Sequence, residues 1–217
     1  MGNVYSGEKP RDDPVVTPVK GTLPDISAAT PKVSLFDFQQ GVGPGELVKS
    51  CIEQTVKYGP IATQKVGFMA LNQQTKDPTG SLKFTPTVIL NATGVRLSLV
   101  SFKGLPDYPA PAVIEPGECA SFLNVLNSGP QGLVQYEAQV FEGPFAGWLA
   151  PTGDILKIPV FKINVGSDPV SPSTAKARVQ DKAGGAPTVV STLTWTSKFT
   201  PSAEGSVFQY TLTQSLD

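Results

Sequence analysis

Proline is the strongest constraint that this chain places on its own folding. Pro10, Pro14, Pro18, Pro24 and Pro31 interrupt the first 43 residues. Each holds φ near −65° and removes a backbone donor, so "PRDDPVVTPVKGTLPDISAATPK" can form neither a helix nor an interior strand. Residues 1–43 therefore read as an extended, Pro-rich arm. The arm still carries apolar side chains, among them Leu35, Phe36 and Phe38, which is more than a solvated linker normally holds. An extended segment cannot bury such groups against itself. A protein surface is expected to receive Leu35, Phe36 and Phe38, on the same chain or on a neighbour, and self-association as a homo-oligomer is the expected partnership.

The pair Gly59-Pro60 frames the one helix that the pattern supports, residues 46–58. In "PGELVKSCIEQTVKYGP", Leu47, Val48, Cys51, Ile52, Thr55 and Val56 recur at helical spacing and are expected to pack on a sheet. Glu46 in the first turn and Lys57 in the last suit the helix dipole. The face lacks the cationic flanks and bulky aromatics of a membrane-inserting helix.

From residue 61 the period changes to two. "IATQKVGFMAL", "SLKFTPTVIL", "VRLSLVSF", "ECASFLNVL", "GLVQYEAQVF", "ILKIPVFKINV", "TVVSTLTWTS" and "VFQYTLTQSL" are rich in β-branched and aromatic residues and bounded by turn formers. Val134, Tyr136, Ala138 and Val140 alternate with polar residues and are expected to point inward, as are Phe208, Tyr210 and Leu212. The alternation slips between Leu99 and Val100, which predicts a β-bulge. Residues 166–187 read as a long loop. The predicted fold is mainly β: an antiparallel β-sandwich of about eight strands, one N-terminal amphipathic helix and the arm, with residues 44–217 as a single domain.

Charge narrows the function. Charged residues make up 16% of the chain, the net charge is −1, and no segment holds the basic stripe that phosphate contacts require, so no nucleic acid partner is expected. Histidine is absent, which excludes Ser-His-Asp and Cys-His catalysis and histidine-ligated metal. Cys51 and Cys119 are too few for a four-thiolate zinc site or a disulfide framework, and buried, reduced thiols are expected. No stretch approaches the ~20 apolar residues of a membrane span. The N-terminal residues lack the hydrophobic core of a signal peptide, so none is expected, and the sequence holds no phosphate-cradling or nucleophile-elbow motif. The expectation is a cytoplasmic, non-enzymatic protein with no cofactor and no metal. Gly2 with Ser6 matches the N-myristoylation pattern, though no polybasic patch accompanies it.

Three local features are candidates for chemistry. Glu115 and Glu118 flank Pro116-Gly117 and read as solvated ends of a type II turn rather than a carboxylate pair. Phe141, Phe145 and Trp148 lie among Gly and Pro in "FEGPFAGWLAPTG". They could contact a ligand or a membrane, or plug the end of the sheets. Asn91-Ala92-Thr93 matches the N-glycosylation sequon but reads better as a turn between strands.

"TVILNATGVRLSLVSF", "YPAPAVIEPGECASFLNV" and "SGPQGLVQYEAQVF", between Thr87 and about Trp148, resemble the small jasmonate-induced proteins of plants. The likeness covers about a third of the chain. It rests on a strand ending in an Asn-x-Thr-Gly turn, an Ile-x-x-Gly turn before a Phe-bearing strand, and a Gly-rich lead into a Val-x-Tyr strand. "KGLPDYPAP" replaces that family's Trp- and His-bearing segment. The resemblance implies a stress-responsive, β-rich protein with no catalytic residue to carry over. A second similarity, to actinoporin- and aegerolysin-like sandwiches, implies membrane binding or pore formation through exposed aromatics, for which Phe145 and Trp148 would stand in. The readings carried forward are a binding or self-associating sandwich, a membrane-binding protein, and a structural subunit that exchanges its arm.

Overall fold

The structure is a computed structural model that describes residues 43–102, 105–125, 134–139, 155–157, 160–165, 172–180, 183–202 and 205–217. The fold is mainly β, with one helix and two sheets among the described residues. The helix, α1 (Pro44–Lys76), is followed by β1 (Phe84–Ala92), β2 (Leu97–Phe102), β3 (Val113–Ile114), β4 (Cys119–Val125) and β5 (Val134–Gln139). Then come β6 (Ile155–Lys157), β7 (Val160–Val165), β8 (Ser173–Gln180), β9 (Thr188–Ser202) and β10 (Gly205–Leu216). One sheet has six strands in the order β4-β1-β10-β9-β8-β6, and the other has four, β3-β2-β5-β7.

The helix corrects the reading of 46–58. It runs through Pro60 to Lys76, and "IATQKVGFMAL" is its second half rather than a strand. Pro60 leaves the Val56 carbonyl without its i+4 donor, at a cost of about 3 kcal/mol. Packing offsets this. Tyr58, Ala62, Val66 and Ala70 recur every four residues and bury against Val88, Leu90, Cys119, Leu123 and Val207. Gly59 is a point of close approach rather than a stop: a Cβ there would lie 3.4 Å from both Leu90 methyls. Thr63 reinforces the same turn by donating its hydroxyl to the Gly59 carbonyl at 3.0 Å.

Two clusters divide the core. Along β1, Val88 and Leu90 join the helix-side cluster, whereas Ile89 belongs to the other. That second cluster unites Leu97, Val134, Tyr136 and Ala138 of the four-stranded sheet with Phe122, Leu193, Trp195, Phe208, Tyr210 and Leu212 of the six-stranded one. The Trp195 and Tyr210 rings stack at 5.3 Å, a geometry that favours offset aromatic pairs. The Tyr136 hydroxyl donates to the Pro111 carbonyl at 2.7 Å. Val134, Tyr136 and Ala138 point inward, as the alternation predicts, while Val140 lies outside the described residues. The predicted bulge is present: the β2–β5 register shifts between Leu99 and Ser101.

Pairing departs from the expected pattern in two places. β1 and β10 run parallel, with Ile89 opposite Tyr210 and Asn91 opposite Leu212, so the larger sheet is mixed rather than antiparallel. Ser173–Gln180, inside the stretch read as a loop, forms β8 and pairs with both β9 and β6. Its Ala175 and Ala177 face the core cluster and its Thr174, Lys176 and Arg178 are exposed. Small inward residues and long outward ones blur the hydrophobic alternation that marks a strand. Every strand that is found is held by tertiary pairing as well as by local preference.

Candidate functional site

The Asn-Ala-Thr turn is structural. Asn91 closes β1 and is fully buried, so its side chain cannot carry a glycan in the folded chain. Its Nδ2 donates to the carbonyls of Val95, Ile114 and Glu115 at 2.8, 3.1 and 3.0 Å. Its Oδ1 accepts the Thr93 hydroxyl at 2.6 Å, and the Gly94 amide donates to Gln214 Oε1 at 2.9 Å. The Asn91 amide thus ties the end of β1 to β3 and to the turn before β4, and the Gly94 amide ties the same loop to β10.

Glu115 and Glu118 belong to that same turn. Glu115 accepts from Arg96 through both carboxylate oxygens, at 3.0 and 3.1 Å. Glu118 accepts the Glu115 amide at 2.8 Å. Gly117 has φ +75°, and a Cβ there would collide with the Gln54 side chain of α1. Both carboxylates are engaged in holding the turn. Burial pushes the Cys51 and Cys119 thiols up to about 12, and both are free. Thiols so far above neutral pH are poor nucleophiles. Among the described residues no group of three His, Cys, Asp or Glu side chains could hold a metal ion, and no helix is long and apolar enough to cross a membrane.

Among the described residues, a groove of about 760 Å³ runs between α1 and the outer face of β9 and β10. Ile52, Val56 and Pro60 form its helical wall. Thr211, Thr213 and Gln209 of β10 and Lys198 and Thr200 of β9 form the other side, and Leu90 lies at its base. Strand register sets the hydroxyls of that floor: Thr211 pairs with Thr196, and Thr213 with Thr194. The helical wall corrects the expected helix face. Leu47, Val48, Cys51 and Thr55 are buried, but Ile52 is 40% exposed and Val56 71% exposed.

A sequence signal for this wall exists. At 3.6 residues per turn, Val56 lies about 140° around the helix from Cys51, beyond a single packed stripe. The six apolar positions therefore span two faces, and only one of them meets the sheet. Phe141, Phe145 and Trp148, and the arm residues Leu35, Phe36 and Phe38, lie outside the described residues.

No family model matches the chain, and neither a curated protein nor a solved structure matches it.

Proposed function

We propose that this chain is a non-catalytic β-sandwich protein that works by protein recognition. Its groove between α1 and β9–β10 would hold an extended segment, supplied by this chain or by a second copy. The carrying observation is the wall itself: Ile52 and Val56, one helical turn apart, leave apolar surface exposed beside a floor of threonine and glutamine side chains. An extended segment fits both halves of that chemistry, with side chains on the apolar wall and main-chain groups over the polar floor. The two sheets, sharing one core cluster, are the sandwich that keeps the groove rigid. Three features favour binding over catalysis: the absence of histidine, the two inert thiols and the engaged glutamates.

The test is a thiol introduced by Val56→Cys in the full chain. Cys51 and Cys119 are buried and stay silent toward a maleimide near neutral pH. Occupancy of the groove slows labelling of position 56 about tenfold or more relative to the denatured chain. Labelling at the denatured rate over a hundredfold concentration range would refute the reading.

A further inference from the structure

We infer that the occupant of this groove is the chain's own arm, with residues 33–40, "VSLFDFQQ", lying along α1 in the opposite direction to it. The inference rests on the recognition reading above and names its ligand. Three observations carry it.

The first is where the arm ends. It joins α1 at Gly43, whose backbone is extended at φ −68° and ψ 156°. The helix therefore begins at Pro44, and the arm departs from Gly43.

The second is reach. Ile52 and Val56 lie about 14 Å and about 20 Å along the axis from Gly43, at 1.5 Å per residue. Extended chain covers about 3.3 Å per residue, so Phe38 reaches back at most about 17 Å and Phe36 about 23 Å. A returning arm thus brings Phe38 level with Ile52, and Phe36, on the same face of the extended chain, level with the span from Val56 to Pro60. A tether this short gives the arm an effective concentration on the order of millimolar, above that of a second copy in dilute solution.

The third is complementarity. An extended arm offers Phe36 and Phe38 on one face, and the wall offers Ile52, Val56 and Pro60. Asp37 sits between the two phenylalanines, and Lys198 lines the facing strand. Lys198 takes part in neither ion pair of the described residues, which are Lys76–Asp107 and Arg96–Glu115. The prolines upstream restrict the unbound arm, so less entropy is lost when it docks. The arm then acts as an internal ligand, and any other extended segment must displace it.

The experiment places a benzophenone amino acid at position 56 of the purified full chain and maps the photoproducts by mass spectrometry. The expected result is a cross-link to residues 33–40 at the mass of one chain. Phe38→Asp in the same background should reduce that product about tenfold or more, because it removes the aromatic contact with the wall, while the chain still unfolds cooperatively in urea and loses no more than the ~1.4 kcal/mol that a tenfold weaker docking implies. A cross-link found only at the mass of two chains would overturn the internal arm and leave the groove reading standing. A protected thiol at position 56 with no cross-link to the arm would overturn it too. A fully reactive thiol would remove both.

Discussion

Replacing Asn91 by alanine tests the turn that joins the end of β1 to its surroundings. Asn91 is fully buried, and its amide reaches three carbonyls while its oxygen accepts from Thr93. The substitution removes two donated protons and one acceptor from a dry site. At about 1–1.5 kcal/mol per hydrogen bond lost, the three amount to about 3–5 kcal/mol. That is a large share of the ~5–15 kcal/mol by which a domain is stable. With a urea slope near 2 kcal/mol/M, the midpoint should fall by about 2 M. Equilibrium unfolding followed by tryptophan fluorescence measures it, since Trp195 is buried in the core. Asn91→Asp should be at least as damaging at neutral pH, because it sets a carboxylate against three carbonyl oxygens. Thr93→Val should be non-additive with Asn91→Ala by at least ~0.5 kcal/mol, as expected of residues within one network. A loss below ~1 kcal/mol for Asn91→Ala would mean that water replaces the amide, and the network argument would fail.

Tyr136→Ala should cost about 3–5 kcal/mol, and Tyr136→Phe about 1 kcal/mol through the lost bond to Pro111; thermal melts that rank them the other way would contradict the strand phase. For the thiols, native alkylation at neutral pH should modify neither Cys51 nor Cys119, and alkylation in denaturant should modify both. Their folded-state pKa is raised from 9.0 to about 12, so this contribution to stability is complete below pH 9 and is lost as pH rises toward 12; Cys119→Ser should flatten that alkaline limb. Asp77, which accepts from Thr79, Ser81 and the Leu82 amide, is lowered from 3.8 to about 2, with the Thr79 bond the largest cause. Its contribution is present above pH 3.8 and lost as pH falls toward 2, and an acid titration of Asp77→Asn that retains the full wild-type slope in that window would disprove its role.

Where one face of a strand is buried and the other solvated, the sequence by itself determined the outcome. Val134, Tyr136 and Ala138, and Phe208, Tyr210 and Leu212, announce their inward faces through period-two alternation, and the slip after Leu99 announces the bulge. These are local patterns, and a slip of one residue would invert every side chain. The Pro116-Gly117 turn is legible for the same reason, since a left-handed φ at Gly117 excludes most other residues. Tertiary structure decided the rest. Gly59-Pro60 carries a strong local stop signal, yet the helix continues, because burial of Ala62, Val66 and Ala70 on the sheet outweighs one lost hydrogen bond. The parallel pairing of β1 with β10 joins residues more than a hundred positions apart, and no nearby pattern encodes a partner so distant. The groove is of the same kind. Ile52 and Val56 look like core residues in one dimension. They become a wall only because α1 settles on Leu90 at Gly59, which leaves that side of the helix facing an open groove over the threonines of β10.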